Sequence, residues 1–252
     1  MNNAYVTLTF PNHYTIATGM YEENHGVISN RMYDPKFNES FTNSKGQAQQ
    51  SKWRNNGTDN WSGEPIWLTN QQKKNHRSGV YYWIGSEAAI RGRHAFVYKH
   101  YNWSVSYKSF QDRVDTVIDW FTDEHSPVNF VMLYFEEPDH SGHLFGPNAK
   151  EIIDKILELD NLVGYLKQKL KAAGLFDNMD IIITSDHGMT QIDNIVYLEE
   201  FVNSSLYKVY GETPVLHLLP NEGTVHEFTF IFVMKTDLKH YSKNSDIHAI
   251  HL

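Results

Sequence analysis

With 252 residues the chain is long enough for one α/β domain with a sizeable core. It has no cysteine, which excludes a disulfide framework and any thiolate metal site, and its net charge of −8 argues against a broad basic surface for nucleic acid or an anionic membrane. No stretch is apolar enough to span a bilayer, and Met1 to Tyr5 has neither a charged n-region nor an apolar h-region, so no signal peptide is expected in this chain.

Tyr5 to Leu8 is short and β-prone, and Thr9-Phe10-Pro11-Asn12 reads as its break. His13 to Gly19 then predicts a helix closed by Gly19. Phe37 to Gly63 is rich in Asn, Ser, Gln and Lys and reads as a long surface loop. Pro65 to Thr69 and Val80 to Ile84 read as two short strands. Gln111 to Phe121 sets Val114, Val117, Ile118 and Phe121 at helical spacing.

Asn129 to Phe135 is a nearly unbroken apolar run, the pattern of a strand buried on both faces. Ala149 to Ala173 predicts a long amphipathic helix with Ile152, Ile153, Ile156, Leu159, Val163, Leu166 and Leu170 on its apolar face. Asp180 to Thr184 reads as a second buried strand. Strand, helix and strand together predict a parallel sheet with a right-handed crossover. No internal repeat and no domain boundary stand out, so residues 1–252 read as one unit.

Ligands of open α/β sheets bind beyond the carboxyl ends of the strands. There the chain carries Glu136-Glu137-Pro138-Asp139-His140-Ser141-Gly142-His143 and Ser185-Asp186-His187-Gly188-Met189. Asp and His are costly to bury unless paired or bound to metal. A single such pair is ordinarily a structural hydrogen bond. Two on one sheet edge point to two metals about 4 Å apart, held by nitrogen and oxygen as catalytic zinc is. Thr9, between a predicted strand and helix, reads either as a helix cap or as a hydroxyl beside the anion-favouring end of a helix.

Three segments carry a family resemblance. Thr9-Phe10-Pro11-Asn12-His13-Tyr14, with Thr18-Gly19 and His25-Gly26-Val27-Ile28-Ser29-Asn30, resembles the nucleophile region of the ectonucleotide pyrophosphatase/phosphodiesterases. The Glu136 to His143 segment with Gly146-Pro147 is similar to that family's first metal loop, and Ser185 to Met189 to its second. The resemblance implies an alkaline phosphatase-like fold, with a central, mostly parallel sheet flanked by helices, incomplete at both termini. It implies Thr9 as nucleophile and metal ligand, Asp186 and His187 on the same zinc, and Asp139 and His143 on the other. Asn30 would donate to a phosphoryl oxygen, and Phe10, Tyr101 and Tyr134 would contact the nucleobase or leaving group.

A strand ending in Asp ahead of Thr9, and a late His completing the Asp139/His143 site, are expected from the family. Neither is matched here; His217, His240, His248 and His251 do not stand in the corresponding motif. Each of the two zinc ions would thus lack one protein ligand in this chain. Trp83-Ile84-Gly85-Ser86-Glu87 departs from the family in having Ile84 and Glu87 where Pro and Asp are usual.

The expected activity is hydrolysis of phosphodiester or pyrophosphate bonds in nucleotides. Choline-phosphate lipids, or nucleotide binding without catalysis, are the alternatives. The expected partner is a small-molecule phosphodiester, not a nucleic-acid duplex. Sequons at Asn38, Asn56, Asn60, Asn102 and Asn203 fit a glycoprotein of the extracellular space or cell surface, with any membrane tether outside this segment.

Overall fold

The computed structural model describes residues 4–35, 38–42, 63–101, 109–213, 215–227 and 248–251. In chain order the elements are α1 (Thr9–Thr18), α2 (Glu22–His25), β1 (Arg31–Asp34), β2 (Glu39–Thr42), α3 (Ile66–Asn70), β3 (Ser78–Tyr81) and β4 (Val97–Lys99). They continue with α4 (Phe110–Thr122), β5 (Phe130–Leu133), α5 (Asp139–Phe145), α6 (Lys150–Ala172), β6 (Asn194–Tyr197), β7 (Tyr207–Glu212), β8 (Val215–Pro220) and β9 (His248–His251). Two compact units divide the chain, one of residues 1–27 and 44–188 and one of residues 28–43 and 189–252.

The first unit is built on a three-stranded sheet of order β4-β3-β5, with both pairings parallel. All four residues of the central strand β3 are buried. Gly79 in this strand lies against Trp120 of α4, where an added Cβ would come within 2.6 Å of the indole; only glycine permits that approach. Helix α4 uses both faces of its apolar stripe. Val114 and Ile118 pack with Leu162 and Leu170 of α6, while Val117 packs with Tyr81 and Tyr82. Ser109 begins α4 with a capping box, its hydroxyl accepting from Asp112 N while the Asp112 carboxylate accepts from Ser109 N.

Helix α6 matches its predicted span to within a residue at each end, and it docks Ile152, Leu162 and Leu170. Ile153, Ile156 and Val163, expected on the same apolar face, are exposed. Strand β5 replaces the predicted 129–135 run, and only Met132 within it is buried.

Other expectations are corrected in this unit. Tyr5 to Leu8 forms no strand; it turns, with Leu8 N donating to Val6 O at 2.9 Å. The first helix begins at Thr9 rather than His13, because proline in a first turn has no amide to lose; Gly19 closes it with φ +69°. Pro65 to Thr69 holds the short helix α3, which buries Trp67 and Leu68 side by side, whereas a strand would send neighbours to opposite faces. The predicted strand at Val80 to Ile84 ends at Tyr81, since Tyr82 takes φ +60° and turns the chain away. Asp180 to Thr184 forms no strand and joins no ladder among the described residues, and Ile181, Ile182 and Ile183 are exposed. The parallel sheet exists, but β3, β4 and β5 form it rather than a 129–135/180–184 pair.

Among the described residues, the second unit holds three two-stranded sheets. β1 and β2 pair antiparallel, β7 and β8 pair antiparallel, and β6 pairs parallel with β9. Leu198, Val202, Leu206 and Tyr207 form its core, and the Tyr33 and Tyr210 rings stack 5.0 Å apart. Asn38 and Asn203 are exposed. Asn56, Asn60, Asn102 and most of the predicted 37–63 loop lie outside the described residues.

Candidate active site

Because β3, β4 and β5 run parallel, their carboxyl ends share one edge of the sheet. Tyr82 and Trp83 follow β3, Tyr101 follows β4, and Tyr134 follows β5. The Tyr101 ring meets Tyr82 at 5.3 Å and Tyr134 at 6.4 Å, both edge to face. This is the edge at which α/β folds place ligands.

Helix α1 brings its first residue to this edge. Its N-cap is Leu8, with no side-chain cap. Thr9 is therefore not the cap its position suggested. Its hydroxyl faces His187, with Oγ1 and Nε2 3.2 Å apart. His187 Nε2 also stands 3.5 Å from Asp186 Oδ2 and 3.9 Å from Asp139 Oδ1. Asp139 opens α5, so His143 lies one turn later on the same face, its Nε2 3.4 Å from Asp139 Oδ1. Glu137 secures that turn by accepting from Ser141 N at 3.0 Å. Thr9, Asp139, His143, Asp186 and His187 are thus brought together, all within the first unit.

Tyr134 sits in the field of these carboxylates. Burial pushes its phenol well up, and Asp186 and Asp139 add to the effect. The Tyr101 phenol is pushed up to about 12 by burial first and by the Glu136 carboxylate second. Phe10 is buried within α1, at 9% exposure, so little of its ring is open to a ligand. Asn30 lies in the second unit, buried immediately ahead of β1.

The donor set has metal-binding chemistry, nitrogen and oxygen without sulfur. Asp139 Oδ1 is buried with no hydrogen-bond partner, yet two imidazole nitrogens face it. The Thr9–His187 hydrogen bond of 3.2 Å is at the long end of the range, and the separations of 3.4 and 3.5 Å between Asp139 or Asp186 and the imidazoles lie beyond it. They resemble the edge of about 3.3 Å between ligands of a tetrahedral ion with bonds of about 2.0–2.1 Å. Among the described residues, no three His, Asp or Glu side chains stand as one metal-holding group. The donors meet as pairs, of the residue types that zinc takes.

Two contributors were not singled out in the sequence. His13 is buried against the Trp83 and Tyr134 rings, and its Nδ1 meets Thr9 O at 2.7 Å and Asp186 Oδ2 at 3.4 Å. Burial lowers its pKa, against the pull of Asp186. Its i+4 spacing from Thr9 was the available signal. Arg113, wholly buried on α4, grips Glu136 through two hydrogen bonds of 2.6 and 2.8 Å and donates to Tyr134 O at 3.2 Å. Its guanidinium lies over the Tyr82 and Phe110 rings, 4.8 Å from each. An arginine on an otherwise apolar helical face was the clue there.

A family model described as type I phosphodiesterase / nucleotide pyrophosphatase matches residues 1–248. The chain belongs to this family. Among curated relatives, human bis(5'-adenosyl)-triphosphatase ENPP4 is 40% identical over 223 residues, covering 87% of the chain and 47% of the relative. Human ectonucleotide pyrophosphatase/phosphodiesterase family member 5 is 40% identical over 229 residues, covering 90% of the chain and 46% of the relative. The chain therefore spans about half the length of these curated relatives. The solved structure of murine ectonucleotide pyrophosphatase/phosphodiesterase 5 superimposes with a TM-score of 0.83 at 38% identity, covering 91% of this chain and 59% of that one. An inactive threonine-to-alanine variant of the murine protein, in complex with AMP, gives 0.83 at 37% identity, covering 94% and 60%. The fold of the chain is accordingly the α/β, alkaline phosphatase-like fold, a parallel sheet flanked by helices.

Proposed function

We propose that the chain carries the catalytic site of a hydrolase of phosphodiester and pyrophosphate bonds in nucleotides, with Thr9 as nucleophile. The observation that carries this reading is the Thr9 hydroxyl, at the start of a helix and unused as a cap, 3.2 Å from His187 within a cluster of Asp139, His143 and Asp186. Two zinc ions would be held by Thr9, Asp186 and His187 and by Asp139 and His143. When bound, they supply Lewis acidity, lowering the hydroxyl pKa and neutralising charge on a phosphoryl group.

The chain's own residues do the rest. Helix α1 presents Thr9 beside its free backbone N–H groups, which favour a phosphate at that end. Thr9 Oγ1 attacks phosphorus, the leaving-group oxygen departs, and the phosphoryl-threonine ester is then hydrolysed, restoring the hydroxyl. Tyr101 and Tyr134 offer rings for a nucleobase or leaving group, with stacking contributing about 1–3 kcal/mol. Asn30 is the proposed donor to a phosphoryl oxygen. Nucleotide substrates are favoured because one relative is named a bis(5'-adenosyl)-triphosphatase and another is solved with AMP. Glycosylation at Asn38 and Asn203, and an extracellular or cell-surface site of action, belong to the same proposal.

Hydrolysis of the p-nitrophenyl ester of thymidine monophosphate tests it. Thr9→Ala is expected to abolish turnover, and an unchanged rate would refute the nucleophile. Faster turnover of lysophosphatidylcholine than of a dinucleoside polyphosphate would refute the substrate class. Atomic absorption is expected to find zinc on the purified chain, and none at all would refute the metal assignment.

A further inference from the structure

His13 stands one helical turn beyond Thr9 on α1, so the two side chains share a face. Its ring is 1% exposed and packs 4.6 Å from both the Trp83 and Tyr134 rings. Trp83 Nε1 donates to the His13 carbonyl at 3.1 Å, which fixes the backbone beneath the ring. Nε2 is buried with no hydrogen-bond partner, whereas Nδ1 hydrogen-bonds Thr9 O at 2.7 Å and has the Asp186 Oδ2 charge 3.4 Å away. A neutral imidazole has a single N–H. Only Nδ1 has anywhere to donate it, so the proton is assigned to Nδ1. The acceptor belongs to the residue with the proposed nucleophilic hydroxyl, and the facing charge is a carboxylate of the proposed metal pair.

We infer that His13 is a positioning residue that ties the Asp186 carboxylate to the first turn of α1 and so sets the separation between the Thr9 hydroxyl and the Asp186/His187 pair. The inference rests on the roles proposed above for Thr9 and Asp186. His13 approaches the Thr9 carbonyl, not its hydroxyl, and acts through its neighbours. Outer groups that orient a metal-binding carboxylate are worth about 10–100-fold in affinity or activity.

Three substitutions separate this role from simple packing. Asn carries its amide nitrogen the same number of bonds from Cβ as Nδ1; Gln carries its own at the reach of Nε2; Phe fills the space with no N–H. The measurements on the full chain are zinc affinity by competition with a chromophoric chelator, steady-state kinetics on the nitrophenyl ester, and thermal melting. His13→Asn is expected to stay within about 3-fold of the parent in zinc affinity, while His13→Gln and His13→Phe lose about 10–100-fold. The same two should lower kcat by a similar factor with KM changed less than about 3-fold. Packing alone would lower melting temperature in all three without restoring zinc affinity in the Asn variant. Should His13→Phe fail to fold, Asn against Gln, both polar, reads the same difference. Equal zinc affinity and kcat in the Asn and Gln variants overturn the inference. A parent that binds no zinc and cleaves no ester overturns the proposed function, and this inference with it; a competent parent with a flat His13 series overturns the inference alone.

Discussion

Removing Arg113 should be strongly destabilising. Its side chain is wholly buried, and its partner Glu136 retains 18% exposure. The pair is bidentate, at 2.6 and 2.8 Å, and a third hydrogen bond reaches Tyr134 O at 3.2 Å. Arg113→Met keeps much of the volume but strands the carboxylate. Breaking a buried pair from one side costs about 3–5 kcal/mol. The residual exposure of Glu136 places the expected loss at the lower end, about 3 kcal/mol, which for a chain of this size lowers the melting temperature by about 6–12 °C. Urea and thermal unfolding of Arg113→Met, Glu136→Gln and the double variant measure it. The double variant should be more stable than the two single losses added together, with a coupling of about 1–3 kcal/mol. A loss below about 1 kcal/mol, or strict additivity of the two changes, would refute the view that the pair is what holds this corner. Glu136 lies three residues before Asp139, so the same variant should also weaken zinc binding.

Gly79→Ala places a methyl against Trp120 in the central strand and should cost about 1–3 kcal/mol by urea denaturation; a neutral result would mean the indole moves freely. Ile182 is 89% exposed, so Ile182→Ala should change stability by less than about 0.5 kcal/mol, against about 2–5 kcal/mol for a buried isoleucine. Glu22 is buried, with Oε1 accepting from the Thr15 hydroxyl and Oε2 lacking a hydrogen-bond partner, and burial raises its pKa. The folded chain holds that proton more tightly than the unfolded chain, so this contribution is present below the ordinary carboxylate range and is lost as pH rises through the raised folded value. Urea midpoints at stepped pH should fall less steeply in Glu22→Gln than in the parent over that window, and identical slopes would refute it.

What could be read in the sequence follows the range of the interactions involved. Helices α4 and α6 were legible because a long apolar stripe at 3.6 spacing suits a helix packed on one side and little else. The two Asp/His segments and Thr9 were legible as ordered motifs, and the structure brings them together. Pro65 to Thr69 was not, since five residues are too few to show a period. Pro11 read as a breaker, though a first turn accepts it without loss. Ile181 to Ile183 looked buried because β-branched residues resemble a core strand whether or not a neighbour pairs with them; pairing is a property of the rest of the fold. The roles of His13 and Arg113 were invisible for a similar reason. Local spacing hints at each position, but their roles come from what stands across from them, Asp186 and Glu136.

Thr9 and His187 are 178 positions apart. During synthesis from the N-terminus, at about 5–20 residues per second, roughly 10–35 s separate the emergence of one from that of the other. Throughout that interval the hydroxyl lacks the His187 imidazole, and closing so long a loop carries an entropic cost on the order of 5 kcal/mol that local helix formation cannot offset. The Thr9–His187 contact is therefore among the later contacts of the first unit to form during synthesis.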